Sequence, residues 1–272
     1  MPPAGPAPIS CYIRTKNEAQ RLGRVLEALR GVVAEVVVVD SGSTDGTADL
    51  ARSMGATVHE QAWLGNGAQK RFGEERCAHD WLLDLDADEV LTPELGDEIR
   101  RLFAAGEPPL PIYELKMVTA PPVGEPWMTF GYTWRRKLYD RRVVRQPDHK
   151  AWDQFEVPPG VKVGRLNAPF LHYSFSSLGD FAEKLNRVST VRARESKLKP
   201  KWVTVTRILF ALPFYFLKHY AGRGLWRGGV YGFALSGISA YGRWLRDVKM
   251  YETHRAREQK NTLPLPDGRG TG

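Results

Sequence analysis

Cysteine is almost missing from this chain: of 272 residues, Cys11 and Cys77 are the two present. That is too few for a disulfide framework or a cysteine-built zinc cluster, and two packed thiols in a reducing compartment are expected. Long apolar runs are missing too. The charge-free stretch Ile208–Leu217 contains Pro213, and the 15 uncharged residues between Arg227 and Arg243 are broken by glycine, whereas crossing a bilayer takes about twenty apolar residues. Neither Pro/Gly-rich end, MPPAGPAP or LPLPDGRGTG, has the basic and apolar regions of a secretory signal, so the bulk of the chain is expected in the cytoplasm, with a flexible tip at 1–8 and a flexible tail at 256–272. There is no G-x-x-x-x-G-K-[ST], and the first strand runs into TKNEAQRL instead of G-x-G-x-x-G, which disfavours P-loop and nicotinamide chemistry.

Charge is present but uneven. The chain is +8 overall, yet residues 184–260 hold 17 Lys and Arg against 4 Asp and Glu, a surplus of 13 that leaves the remainder at −5. A basic, aromatic back joined to an acidic front points to an anionic partner, nucleic acid or a membrane surface. Aromatic segments flanked by Arg207, Lys218, Arg223, Arg227, Arg243 and Arg246 suit interfacial helices on anionic lipid. Residues 181–255 are therefore expected to form a basic, helical, membrane-associating region, packing of the aromatics on the rest of the chain being the alternative. A nucleic-acid binder using this region for stacking rests on charge alone and conflicts with the acidic front. Neither a nucleic acid nor a partner protein is expected.

Ahead of that region the pattern alternates. PISCYIRT (8–15), AEVVVVD (34–40), ATVHEQ (56–61) and WLLDLDADE (81–89) read as strands, and NEAQRLGRVLEALRG (17–31), ADLARSMG (48–55) and GAQKRFGEERCA (67–78) as helices, by period and by β-branched content. Thr44 or Asp45 is the expected cap of the second helix and Gly55 its close. Alternation of this kind predicts a parallel, doubly wound sheet. The segments 111–118, 135–144, 161–167 and 169–175 read as an antiparallel extension, and a helix opens at the Ser/Asp cap near Leu178.

Sheets of this kind bind ligands beyond the carboxyl ends of their strands. Asp40 lies at one such end and Asp86 and Asp88 at another. For Asp40 the turn DSGSTDGT also offers a local use as a turn cap. In an extended strand Asp84, Asp86 and Asp88 share one face and Leu83 and Leu85 the other. Carboxylates so clustered repel unless a cation sits among them, and Mg²⁺ or Mn²⁺, which takes carboxylate oxygen while leaving room for phosphate, fits. Without a glycine-rich cradle, the remaining use of a metal-held diphosphate is as the leaving group of a nucleotide-sugar.

The stretches ISCYIRTKNEAQRLGRVLEAL, EVVVVDSGSTDGTADLARSMGATV, WLGNGAQKRFG and DWLLDLDADEVLTPEL, in that order, resemble family 2 glycosyltransferases of the GT-A fold. RRKLYDRR, GRLNAPFLHYSFSSLGDFAEKLNR and the aromatic tail are similar to the subgroup that adds a β-1,4-linked glucose to the lipopolysaccharide inner core. The resemblance covers about residues 9–250 and implies an α/β GT-A fold, a mostly parallel doubly wound sheet, with a catalytic domain at 9–180 (nucleotide half 9–105, acceptor half 106–180) and a helical, amphipathic C-terminal extension. It implies inverting, metal-assisted transfer of a hexose, glucose, from a UDP-sugar donor to a lipopolysaccharide-core or other lipid-linked glycan acceptor, by a peripheral protein on the cytoplasmic face of the inner membrane. A same-fold transferase acting on a polyprenyl phosphate or another glycan is the alternative.

Carried over by position, the resemblance assigns Thr15, Asn17 and Glu18 to the nucleoside pocket, Asp40 to the uracil N3–H and Lys70 to the diphosphate. Asp86 would meet ribose or metal, Asp88 would be the principal ligand of Mg²⁺ or Mn²⁺, and His172 would complete the metal shell or bind phosphate. The subgroup's His-Glu pair falls on Trp152-Asp153, so the chain departs from the pattern there. Asp153 is the expected general base, with Glu156, Asp148 and Asp140 in reserve and His149 at the surface. Arg135, Arg136 and Lys137 are expected to neutralise UDP or grip an anionic acceptor.

Overall fold

Runs of Val, Ile and Leu suit strands covered on both faces, and they build the parallel half of one sheet: β1 (Ala7–Thr15), β2 (Val33–Asp40), β3 (Thr57–Glu60) and β4 (Trp81–Asp86). The computed structural model describes residues 5–121, 125, 126, 128, 132–150, 152–195 and 198–262, and the chain divides into two compact units, Met1–Ser174 and Phe175–Gly272. In the first unit the order is β3-β2-β1-β4, all parallel. Helices α1 (Ala19–Leu29), α2 (Thr47–Ser53), α3 (Asn66–Glu74) and α4 (Pro93–Phe103) flank it. Helix α1 buries Leu22, Val25, Leu26 and Leu29, the one-sided spacing of an amphipathic helix. It starts later than residue 17, because Asn17 holds φ +55°, a left-handed conformation that Asn tolerates better than most residues. Helix α2 opens after Gly46 in place of Thr44 or Asp45 and stops at Met54, with Gly55 at φ +88° just beyond.

The sheet continues β4-β7-β6-β8-β5, with β5 (Glu89–Leu91), β6 (Ile112–Thr119), β7 (Tyr132–Asp140) and β8 (Val163–His172). β7 is antiparallel to both β4 and β6, but β6 and β8 are parallel, so the extension is mixed. Residues 161–167 and 169–175, expected as two strands, supply one strand that passes Pro169, with a register shift against β6. The acidic strand differs most from expectation. It breaks after Asp86, and Glu89–Leu91 returns as β5 at the far edge, antiparallel to β8 with Glu89 opposite His172. Asp88 therefore sits in a turn and does not share a strand face with Asp84 and Asp86.

The second unit contains α5 (Leu178–Glu195), α6 (Lys201–Tyr220), a 3₁₀ turn (Leu225–Gly228) and α7 (Gly229–Thr262). Asp180 N–H donates to Ser177 Oγ at the head of α5. Helices α6 and α7 run antiparallel, joined by Lys201–Glu258, Arg207–Asp247 and Trp244 to the Ile208 carbonyl. The tail expected to be flexible from 256 is helical through Thr262, and 263–272 lie outside the described residues, as do 1–4 of the expected tip.

Candidate active site

Two loops at the carboxyl ends of β1 and β2 are stitched together. Ser43 Oγ accepts from Asn17 N–H at 2.8 Å and Asn17 Oδ1 from Thr44 N–H at 2.8 Å. Glu18 N–H donates to Thr47 Oγ1 and Ala19 N–H to Asp45. Asp40, expected at the uracil, is buried in this turn: Oδ2 accepts Gly42 N–H at 3.0 Å and Ser43 N–H at 2.8 Å, while Oδ1 takes the Ser43 hydroxyl. It serves the turn-capping use that its sequence also allowed. Thr15 is 5% exposed, and its hydroxyl oxygen is buried with no hydrogen-bond partner.

The acids of residues 81–89 are met by cations from the chain itself. Lys70 and Asp84 form a sealed pair at 2.7 Å, each side chain 1% exposed. Lys137 and Glu89 form a second at 2.6 Å. Arg14, beside Asp86 in the β1–β4 register, donates through Nε to Asp86 at 2.7 Å and through a terminal nitrogen to Asp153 at 3.1 Å. Burial opposes the ionised forms of Arg14, Asp86, Glu89 and Lys137, and opposite charges overcome it in three of these four. Arg14 is held protonated by Asp86, Lys137 by Asp84 and Glu89, and Asp86 stays well below the carboxylate range because of Lys70, Lys137 and Arg14. For Glu89 burial prevails and raises its value. Asp84 is thus the counter-ion of Lys70; Lys70, expected at the diphosphate, is buried against it; and Asp86, expected at ribose or metal, is engaged by the Arg14 guanidinium.

His172, the last residue of β8, reaches Asp88 with Nε2 3.4 Å from Oδ2, the two side chains 24% and 16% exposed. Two donors on adjacent corners of an octahedral shell about 2.1 Å in radius stand about 3 Å apart, so this pair fits one edge of a Mg²⁺ or Mn²⁺ shell. Among the described residues, Asp84, Asp86, Glu89 and Asp153 lie near this pair, interleaved with the cations Arg14, Lys70 and Lys137. Among the described residues no three His, Cys, Asp or Glu side chains form a closed metal site. The remaining positions of such a shell would be left to water and phosphate, as is usual for these ions.

Residues 10–152 match glycosyl transferase family 2. The chain belongs to that family. This glycosyltransferase is 33% identical over 254 residues to an uncharacterized glycosyltransferase of Rickettsia felis, covering 90% of each chain. It is 30% identical over 268 residues to the lipopolysaccharide core biosynthesis glycosyltransferase LpsC of Rhizobium meliloti, covering 93% of this chain and 96% of that one. Against the crystal structure of S. aureus TarS the TM-score is 0.47 at 17% identity, covering 90% of this chain and 54% of that chain. The GT-A type α/β fold and the transferase class expected from the motifs are those of the family.

In the glycosyltransferase, Asp153 depends on a loop fastened to α3. Asn66 N–H donates to the Lys150 carbonyl, and Gly67 and Ala68 N–H to that of His149. A Cβ on Gly67 would lie 2.2 Å from the Trp152 carbonyl oxygen and 2.5 Å from that of Pro147, so glycine is required by this contact. From the same helix Arg71 donates to the Gln146 carbonyl, and Glu74 accepts Gln146 N–H. Asp153 thus lies 3.7 Å from Lys70 and 31% exposed. Of the reserves, Asp140 is buried against Arg142. His149 is exposed, as expected, and its Nδ1 accepts Trp152 N–H. Lys137 is buried, while Arg136 donates to the Phe155 carbonyl. Arg135 and Arg136 line an open groove of about 370 Å³ with Trp134, Trp152 and Gln154. Sequence reading passed over Arg14. Its signal was a lone cation inside an apolar strand next to an acidic one.

Proposed function

We propose that this glycosyltransferase moves a hexose, glucose on its resemblance, with inversion from a UDP-sugar to a hydroxyl of a lipopolysaccharide-core or similar lipid-linked glycan. The observation that carries the reading is the meeting of Asp88 and His172 at 3.4 Å, contributed by the turn after β4 and by the end of β8. Mg²⁺ or Mn²⁺ held by these two residues would supply the positive charge that a departing diphosphate needs. The chain's own groups supply the rest. Asp153 accepts the proton of the acceptor hydroxyl, its carboxylate oriented by Arg14 and Lys70. Arg14 also fixes Asp86 toward the donor's ribose. Thr15, with its unpartnered hydroxyl, and the stitched turns of Asn17, Glu18 and Asp40 shape the nucleoside pocket. The groove beside Trp152, which is 60% exposed, offers aromatic faces and guanidinium groups to the acceptor. The similarity to LpsC supports an acceptor of the lipopolysaccharide-core class.

The test is release of UDP from UDP-hexoses, with GDP-hexoses as controls, in the presence and absence of Mn²⁺ or Mg²⁺. Turnover should require the metal and fall by about 10²–10³-fold in Asp88→Ala, with an unchanged circular dichroism spectrum. Metal-independent turnover, or full activity in that variant, overturns the assignment.

Peripheral attachment to the cytoplasmic face of the membrane rests on a separate feature. No helix among the described residues is long and apolar enough to cross a membrane. Yet α6 exposes Trp202, Leu209, Phe210, Phe214 and Leu217, each at least 57%, along one stripe at helical spacing. Lys218, Arg223 and Arg227 are exposed at its end, as suits an interfacial helix on anionic lipid. Phe210→Ser combined with Phe214→Ser should weaken sedimentation with anionic vesicles several-fold. Unaltered sedimentation removes this part of the reading.

A further inference from the structure

Three of the six basic residues expected to face lipid turn inward. Arg207 Nε donates to Asp247 Oδ2 at 3.0 Å, Tyr215 donates its hydroxyl to the same oxygen at 3.0 Å, and Arg207 also reaches the Tyr215 hydroxyl. Arg246 approaches Asp247 Oδ1 at 3.4 Å. The guanidinium carbon of Arg243 lies 5.3 Å from the centre of the Tyr215 ring. Lys199 is close enough to all three arginines that, after burial, their charges lower its proton affinity. Arg207 and Arg246 therefore share one carboxylate that is 1% exposed, with Arg243 set over the ring of the tyrosine bonded to it. The imbalance also appears atom by atom: Arg243 Nε and Arg246 Nε are buried with no hydrogen-bond partner, a state that costs free energy unless a counter-charge is supplied. Arg207 and Arg246 keep 22% and 18% of their side chains exposed, so the cluster is not sealed.

We infer that Arg207, Arg243 and Arg246 form a binding site for a phosphate group. Guanidinium forks are suited to phosphate oxygens, and a phosphate mono- or diester at their exposed ends would supply the counter-charge that this cluster lacks. Arg207 is followed at spacings of three, seven and eleven residues by Phe210, Phe214 and Lys218, all exposed, which puts the four on one side of α6. The phosphate could thus be carried by a lipid headgroup or be free in solution. The inference does not depend on the transfer reaction.

The test uses the full chain with Mn²⁺ and saturating UDP, so that the donor cleft is filled and phosphate is read elsewhere. In one arm, thermal unfolding and calorimetry compare inorganic phosphate with chloride at equal ionic strength. In the other, the protein is sedimented with phosphatidylcholine vesicles with and without phosphatidic acid. Wild type should show saturable phosphate binding with a raised Tm. Arg243→Gln and Arg246→Gln should each weaken it by about tenfold or more, with UDP affinity unchanged. A parallel loss of binding to phosphatidic acid vesicles assigns the phosphate to lipid, whereas intact vesicle binding assigns it to a free ion. Should the glutamine variants not fold, Arg243→Lys, which keeps the charge but not the fork, takes their place. The inference is overturned if wild type binds phosphate no better than chloride and vesicle binding is indifferent to these substitutions.

Discussion

Among the described residues, five carboxylates meet three cations at the strand ends of the first unit; between α6 and α7 of the second, Arg207 and Arg246 meet one carboxylate with Arg243 beside them. Both clusters are partly buried, and the excess has opposite sign in each. The net charge of +8 reveals neither. Burial makes a charge expensive unless it is compensated, and both proposals, a divalent cation for the first cluster and a phosphate for the second, start from that cost. The clusters also differ in how far the chain compensates itself. The deepest acids, Asp84 and Glu89, each have a lysine of their own, while Asp86 and Asp153, nearer the rim, share Arg14. In the helical unit the imbalance is central, since Asp247 serves several partners at once.

Removing one member of each cluster sharpens the contrast. Lys70→Met strands Asp84, which already has one buried oxygen without a partner, and should destabilise the first unit by about 3–5 kcal/mol. Replacing Asp84 by Leu in the same chain should recover most of that loss, and chemical denaturation of the two variants measures the coupling. Asp247→Asn leaves the arginines uncompensated and should cost about 3 kcal/mol by the same measurement; added phosphate should recover part of it, while phosphate should do nothing for Lys70→Met. Asp153→Asn is a change of function at the rim. Turnover should fall by about 10²-fold with UDP affinity little changed, and a fully active variant would move the base to another residue.

The smallest expected effect concerns pH. Burial first, and then Arg223, Arg243 and Lys218, lower His219 from 6.5 to about 4. Its folded form is neutral where the unfolded chain is protonated, so the unfolded state binds the extra proton between these values. The stability of the helical unit should therefore be full above pH 6.5 and decline as pH falls toward about 4. A His219→Gln variant followed by thermal unfolding across this range should show a shallower decline, and an equal slope would remove His219 as its source.

Much of the scaffold was readable from period and composition. β1, β2, β4 and α1 lie within a few residues of where the valine runs and the amphipathic spacing put them, because each is held by a local rule that tertiary contacts reinforce. The break after Asp86 was not readable. An extended reading of 81–89 satisfies alternation, and the return of Glu89–Leu91 to the far sheet edge is decided by β8, some eighty residues later. The role of Lys70 was hidden likewise, since a helix lysine is ordinarily solvated and only the approach of α3 to β4 seals it against Asp84. Arg14 carried a signal that alternation alone does not interpret. Asp40 had two uses open, and its carboxylate, as folded, serves the turn.

By itself the sequence determined the class of scaffold, the separation of an acidic front from a basic, aromatic back, and the placing of Asp86 and Asp88 near a strand end, because these follow from patterns a few residues long. The tertiary structure decided which charges face one another: Asp88 with His172, Arg14 with both Asp86 and Asp153, and the inward turn of Arg207, Arg243 and Arg246. Electrostatic energy depends on distance and burial, and residues tens of positions apart in the chain acquire those only when the sheet and the helical hairpin are assembled.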